Sequence, residues 1–241
     1  MPMHRFANPA EFNRLADAIL PWAKIIMAAA FAYGLYLALF TSPPDYQQGE
    51  SVRIMYVHVP AAWMSMFTYM VVAAASFTAL VWRHPVALLA GKAAAPIGAT
   101  FTALALITGM LWGKPMWGTY WVWDGRLTSV LVLFFLYLGY MALWRGLDEE
   151  DKAGRAASIL ALVGVVNIPI IKFSVDWWNT LHQPSSVMRM DGPTMPAEML
   201  WPLLTVALAF KAYFIVVFLY RMKLEINLRK LTVLSSIEAR G

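Results

Sequence analysis

The chain has 241 residues, 60% of them hydrophobic and 14% charged, with a mean hydropathy of +0.58, which excludes a soluble globular protein and predicts an all-α integral membrane protein. The net charge of +5 does not indicate nucleic-acid binding, because the basic residues flank apolar runs and form no continuous patch. Cysteine is absent, which excludes disulfides, thiolate metal sites, iron–sulfur clusters and covalent haem attachment through C-x-x-C-H.

Six apolar runs are long enough to cross a hydrocarbon core of about 30 Å, at about 1.5 Å per residue. The sequence therefore predicts one six-helix membrane domain, with helices near residues 22–40, 61–82, 93–111, 127–144, 156–171 and 200–220. The first run is too long for the apolar part of a signal peptide and is expected to stay uncleaved. Pro60 fits the first turn of the second helix, and Pro169 predicts a kink near the end of the fifth.

The distribution of lysine and arginine predicts the orientation of these helices. Most of these residues lie before the first run, between runs two and three, between runs four and five, and after the last run. Because basic loops stay in the cytoplasm, both termini are expected there. The connection between helices three and four then faces outward, which in a Gram-negative inner membrane means the periplasm.

That outer connection, residues 112–128, is rich in tryptophan and includes Trp112, Lys114, Trp117, Trp121, Trp123, Asp124 and Arg126. If the segment is helical from Trp117, then Trp117, Trp121 and Asp124 share one face. Such a face offers a π-surface to a flat anionic ligand, with Lys114 and Arg126 at its edge. The alternative is an interfacial aromatic belt, although a belt requires no fixed spacing of this kind.

A second aromatic cluster follows the fifth run and contains Asp176, Trp177, Trp178 and His182. The predicted topology places it on the outer side, together with His58 at the mouth of the second helix. Each histidine taken alone is more often an interfacial residue without a ligand. Because two histidines and two tryptophan clusters lie at one membrane face, a ligand site formed by the two histidines is as well supported as the interfacial interpretation.

Lys211 lies within the last apolar run, too far from Arg221 to reach the membrane surface easily. A lysine at this depth is a candidate functional residue, and pairing with a polar group inside the bundle is the simpler interpretation.

Two neutral imidazoles are the ligands that hold six-coordinate, non-covalent haem, and indoles and cations suit its ring and propionates. A structural zinc site is a poorer match, because it requires four ligands in tetrahedral geometry. A structural scaffold without a ligand also remains possible.

The segment Trp117-Gly-Thr-Tyr-Trp121-Val-Trp123-Asp124 matches the pattern W-G-x-x-W-x-W-D, the WWD motif. In this motif the chain resembles the haem-handling protein superfamily of cytochrome c biogenesis. The resemblance runs from about Asp45 to Gln183 and includes residues 58–62, 112–117, 126–128, 164–171 and 176–183.

The resemblance implies a haem site on the periplasmic side. Haem b would be bound non-covalently, with His58 and His182 as its axial ligands. Its ring would be held by the tryptophans and supported by the charged residues of the motif, namely Trp112, Trp117, Trp121, Trp123, Asp124 and Arg126. Weaker candidates are Lys114, Asp176, Trp177 and Trp178.

The resemblance also implies a function that is not enzymatic, namely the transfer of haem to a periplasmic haem chaperone. The implied partners are that chaperone, the ATPase and membrane subunits of an ABC transporter, and a small single-span membrane protein. The alternative is a structural membrane subunit of an ABC-type transporter complex that has no haem site of its own.

Overall fold

The computed structural model describes residues 8–178, 180–184, 186–187 and 189–238, and these form helices and connecting segments without a β-strand. The helices are α1 (Pro9–Tyr36), α2 (Met55–Trp82), α3 (Pro85–Trp117), α4 (Gly125–Gly146), α5 (Glu150–Gly164), α6 (Asn167–Trp177) and α7 (Ala197–Glu238). A π-helical turn, Leu37–Thr41, continues α1, and a 3₁₀ turn, Glu50–Ile54, precedes α2.

Six helical segments in the described ranges are long and apolar enough to cross a membrane, with α5 and α6 together forming one of them. The predicted all-α, six-helix membrane fold is therefore confirmed. The helices extend beyond the predicted apolar runs at most ends, because helical hydrogen bonding continues into polar residues outside the apolar window.

The tryptophan-rich segment is mostly not a connection. Residues 112–117 are the end of α3 and residues 125–128 the start of α4, which leaves only 118–124 as a loop. The prediction that Trp117, Trp121 and Asp124 share one helical face is wrong. The helix ends because Gly118 adopts a left-handed conformation with φ of 75°, which favours glycine.

The structure places two prolines differently from the sequence-based predictions. Helix α2 begins at Met55, so the predicted placement of Pro60 in its first turn is wrong, and His58 lies within the helix. The fifth span is interrupted at Val165 and Val166, and Pro169 follows in the first turn of α6. A proline is tolerated there, because its missing N–H has no helical partner at that point.

The centre of the bundle is formed by tyrosines packed against small residues. Helix α2 packs along α3, and α1 packs along α7. Tyr137 is fully buried, donates its hydroxyl to the backbone oxygen of Ser65 at 2.8 Å, and meets the ring of Tyr69 edge-on at 5.2 Å. Gly98 makes this packing possible, since a Cβ at that position would lie 2.1 Å from the Tyr137 ring.

A buried amide fixes the position of α6 relative to α4. Asn167, the first residue of α6, donates its side-chain N–H to the backbone oxygen of Ser129 at 2.8 Å. An unmade hydrogen bond at such a buried position is costly, so this contact holds the start of α6 against the start of α4. The start of α4 and the opposite end of α6 belong to the candidate site.

Replacing Gly98 with alanine tests the tyrosine packing. We expect Gly98→Ala to lower the melting temperature of the detergent-solubilised chain by about 5 °C, because overpacking costs about 1–3 kcal/mol. Gly146→Ala is the matched control, since a Cβ at Gly146 meets no atom within 4 Å. Equal melting temperatures for the two variants, measured by thermal unfolding, would contradict the packing described.

Candidate functional site

The candidate site lies at one end of the bundle, where four helix ends and two connecting segments meet. It is formed by the start of α2, the end of α3, the loop 118–124, the start of α4, the end of α6 and the described part of 178–184.

Asp124 links the start of α4 to His182. One of its carboxylate oxygens accepts the backbone N–H of Leu127 at 2.7 Å and so caps the helix. The other oxygen accepts a hydrogen bond from the hydroxyl of Thr180 and lies 3.2 Å from Nδ1 of His182. Thr180 also accepts the backbone N–H of His182 at 3.1 Å. The carboxylate therefore positions a helix and an imidazole together.

The electrostatics of this pair keep the histidine neutral and the carboxylate charged. Burial lowers the pKa of His182 below its ordinary 6.5, and the hydrogen bond and charge of Asp124 offset only part of this effect. Burial acts to raise the pKa of Asp124, but hydrogen bonds from Thr180, the Leu127 N–H and His182 outweigh it, so that this pKa is lowered. At neutral pH the contact is therefore a hydrogen bond from a neutral imidazole to a carboxylate.

His58 is held by the backbone of α3. Its Nδ1 lies 3.0 Å from the carbonyl oxygen of Ala105 and 3.1 Å from the hydroxyl oxygen of Thr108. The two helices approach closely here, and glycine at position 109 allows this, since a Cβ there would lie 3.0 Å from Cε1 of the imidazole. The ring of His58 is thus fixed against α3 from one side.

The hydrogen bonds determine the tautomer of both histidines. A carbonyl oxygen and a carboxylate oxygen only accept, so Nδ1 must carry the proton in His58 and in His182. The Nε2 atom of each ring then keeps its lone pair, and no described residue hydrogen-bonds to it. His58 and His182 are near enough to interact electrostatically, and Arg126 interacts with both. The structure thus brings the two histidines together as potential ligands.

Tryptophan rings pack edge-on against both imidazoles. Trp117 meets His182 at a centroid distance of 4.8 Å, and Trp112 meets His58 at 5.6 Å. The indole N–H of Trp112 donates to the side-chain oxygen of Gln48 at 2.9 Å, so that ring is itself oriented. These contacts restrict how either imidazole rotates.

Other tryptophans form an exposed aromatic surface beside the histidines. Trp123 is 77% exposed and meets Trp121 edge-on at 5.4 Å. Trp177 and Trp178, exposed by 58% and 52%, meet each other at 5.9 Å. The indole N–H of Trp121 is buried and has no hydrogen-bond acceptor among the described residues. It is therefore a buried donor for which the described part of the chain supplies no acceptor.

The charged candidates mostly support the protein's own backbone. Arg126 donates to the carbonyl oxygens of Ile171 and Lys172, both at 3.3 Å, and so joins α4 to α6. Asp176 interacts electrostatically with that guanidinium. Lys114 donates to the carbonyl oxygen of Gly118 at 2.9 Å and lies 5.2 Å from the ring centroid of Tyr120, which puts it at the rim.

Several residues of the site were not predicted from the sequence. Thr180 connects Asp124 to His182, Thr108 and Ala105 hold His58, and Gln48 orients Trp112. Only Thr180 carries a local signal, since a threonine two residues before a histidine can accept its backbone N–H. The other contacts join distant parts of the chain.

The fold and site define a multi-pass membrane protein that presents two imidazoles within an aromatic surface at one end of its bundle. The family model described as "Heme exporter protein C" matches residues 2–236. The chain belongs to this family.

Three relatives with the name "Heme exporter protein C" each match 83% or more of the chain. The protein of Bradyrhizobium diazoefficiens is 55% identical over 239 residues, which is 99% of this chain and 90% of that protein. The protein of Escherichia coli K12 is 51% identical over 200 residues, 83% of this chain and 82% of its own length. That of Paracoccus denitrificans is 43% identical over 242 residues and is covered fully, as is this chain.

The role of Asp124 can be tested by its conversion to asparagine. Asp124→Asn keeps an oxygen that caps α4 but removes the negative charge that raises the pKa of His182. We expect the pKa of His182 to fall further below 6.5, as measured by NMR titration of the histidine-labelled chain in micelles. Asp176→Asn is the control. It removes the same charge from a residue whose electrostatic partner is Arg126 and that is not among the groups that shift the pKa of His182. An unchanged or raised pKa of His182 in Asp124→Asn contradicts the assignment.

Proposed function

We propose that this chain binds haem at the outer end of its bundle and passes it to a periplasmic haem chaperone during cytochrome c biogenesis. The observation that carries the proposal is the tautomer of the two histidines. Both imidazoles are fixed through Nδ1, and neither Nε2 has a hydrogen-bond partner among the described residues, which is the form that ligates a metal ion. His58 and His182 would be the two axial ligands.

The donor set fits haem better than a bare metal ion. In the described part of the chain no three side chains of His, Asp or Glu gather as ligands for a metal ion. A porphyrin supplies four nitrogens of its own, so that two histidines complete six coordination positions. Because the sequence lacks cysteine, binding would be non-covalent, as in haem b.

The aromatic side chains supply the apolar surface that a porphyrin requires. Trp112 and Trp117, which contact the imidazoles, and Trp121 and Trp123 would line the ring, with Trp177 and Trp178 extending the surface. The unpaired N–H of Trp121 would donate to a haem propionate. Asp124, Thr180 and Arg126 would act indirectly, by holding the elements that carry these groups.

A binding protein with this construction needs no bond-making chemistry of its own. The exposed tryptophans leave the site open to a second protein, and a non-covalent ligand leaves when its axial contacts are exchanged. The chain would therefore act as a loading platform and not as an enzyme. Its relatives are named for haem export, which supports haem as the cargo.

The proposed setting is the bacterial inner membrane, with both termini in the cytoplasm and the haem site facing the periplasm. Basic residues at the opposite end of the bundle, such as Arg221, Lys223 and Arg229, support this orientation. Besides the chaperone, the proposed partners are the ATPase and membrane subunits of an ABC transporter and a small single-span membrane protein.

Histidine variants test haem binding. We expect the purified wild-type chain with haem to show sharp low-spin absorption bands after reduction, and His58→Ala and His182→Ala to lose or shift them because each lacks one axial ligand. Cells that carry only one of these variants should accumulate less haem-loaded chaperone. His84→Asn is the control, since His84 caps α3 at the opposite end of the bundle.

Three results would count against the proposal. Unchanged spectra in both alanine variants would show that neither histidine ligates haem, and normal c-type cytochrome levels in both would exclude the transfer function. A wild-type chain that stays colourless even with its chaperone would favour the structural-subunit alternative.

The pH dependence of haem binding follows from the lowered pKa of His182. A proton competes with iron for Nε2, and a pKa below 6.5 means that the ring stays neutral to a lower pH than an ordinary histidine. The low-spin spectrum should therefore persist from neutral pH down through 6.5 and be lost on further acidification. A spectrophotometric titration with a midpoint above pH 6.5 would contradict this prediction.

A further inference from the structure

Lys211 lies deep within the membrane-spanning part of α7. It is about 15 Å along the helix from Arg221 and about 21 Å from Ala197, at about 1.5 Å per residue. Both distances exceed the length of a lysine side chain, so its ammonium group does not reach a membrane surface by extending along the helix. A charge at this depth is costly unless another group neutralises it.

The described residues provide no such neutralising group. The Lys211 side chain is exposed on the outside of the bundle, and its Nζ lies 5.4 Å from the ring centroid of Phe67 on α2. Within the described ranges, Phe67 provides the only aromatic ring near Nζ, and no residue there forms a hydrogen bond or an ion pair with it. An aromatic face attracts a cation but does not cancel its charge.

The residues around Lys211 form a continuous apolar surface. Leu204, Leu208, Lys211 and Ile215 follow one another at about one helical turn and so lie along one side of α7. The three apolar side chains are 37%, 51% and 37% exposed, in that order. Phe67 and Met70 of α2 are exposed beside them by 41% and 46%. We call this surface the α2–α7 face, and it consists of Phe67, Met70, Leu204, Leu208, Lys211 and Ile215.

A second copy of this chain cannot neutralise the lysine. The sequence contains no aspartate or glutamate in residues 18–44, 51–123, 125–147, 152–175 and 199–224, and these ranges include the central part of every apolar run. Lipid phosphates lie at the membrane surface and not at this depth. A negative charge that pairs with the ammonium group would therefore come from another membrane-embedded molecule.

We propose that the α2–α7 face docks a transmembrane helix of a different membrane protein, and that this helix carries a carboxylate near the middle of the bilayer. Charge complementarity with Lys211 identifies the occupant, and the apolar residues around the lysine supply the packing surface. The proposal is independent of the haem site, which lies at the outer end of the bundle.

A designed helix provides the probe for this surface. The probe is an apolar helix of about 21 residues with one central glutamate and a cysteine one turn away, and its control has leucine in place of glutamate. Because the chain has no cysteine, Leu208→Cys introduces a single thiol one turn from Lys211. Leu138→Cys on α4, also an exposed leucine within a span, reports random encounters. Disulfide formation is measured in vesicles of phosphatidylethanolamine and phosphatidylglycerol without haem.

We expect the glutamate helix to crosslink to Leu208→Cys about ten-fold more than the leucine helix does, and more than it crosslinks to Leu138→Cys. Adding Lys211→Met should abolish this preference. Adding Lys211→Glu should transfer it to a helix with a central lysine. Lys24→Met is the matched control, because Lys24 also lies over an aromatic ring, that of Tyr220 at 5.0 Å, but near the cytoplasmic end.

Equal crosslinking of the glutamate and leucine helices, or a preference that survives Lys211→Met, would overturn the proposal. Haem is the other membrane-embedded anion to consider. If the helix shows no preference but haem uptake by the same vesicles falls in Lys211→Met, the lysine faces a propionate and the docking proposal is wrong.

Discussion

The carboxylate of Asp124 is the contact on which the site depends. It caps α4 through Leu127, accepts the hydroxyl of Thr180 and receives the Nδ1 proton of His182. The described residues of 178–184 form no helix or strand, so His182 is tied to the helical bundle by this carboxylate and by its ring contact with Trp117. The charge of Asp124 also limits how far burial lowers the pKa of the imidazole. Helix geometry and ligand chemistry are thus set by one side chain.

The two histidines are held by different kinds of acceptor, which gives the site an asymmetry. His58 lies within α2 and donates to a backbone carbonyl of α3, so its position follows from the packing of two long helices. His182 lies in a connecting segment and depends on side chains, namely Asp124 and Thr180. A residue in a connecting segment moves more easily than one within a packed helix. In the proposed haem complex, His182 is therefore the ligand better suited to be released during transfer.

Composition and apolar run lengths were sufficient to predict the six spans, and the pairing of histidines with tryptophan clusters was sufficient to propose the ligand site. The local structure between α3 and α4 was not predictable from spacing alone, because one glycine, Gly118, ends α3 before the helix can align Trp117 with Trp121. Ala105 and Thr108, whose oxygens contact Nδ1 of His58, are far from His58 in sequence and lie in an ordinary apolar run. Such contacts follow from how α2 packs on α3, which no local pattern records.

The most direct test of the central claim is pulsed electron paramagnetic resonance of the ferric haem-loaded chain with ¹⁵N-labelled histidine. The predicted result is a low-spin signal coupled to two axial imidazole nitrogens, with one coupling lost in His58→Ala and one lost in His182→Ala. A wild-type signal that shows coupling to fewer than two histidine nitrogens would contradict ligation of haem by this pair. A signal that is unchanged from the wild type in both variants would contradict it as well.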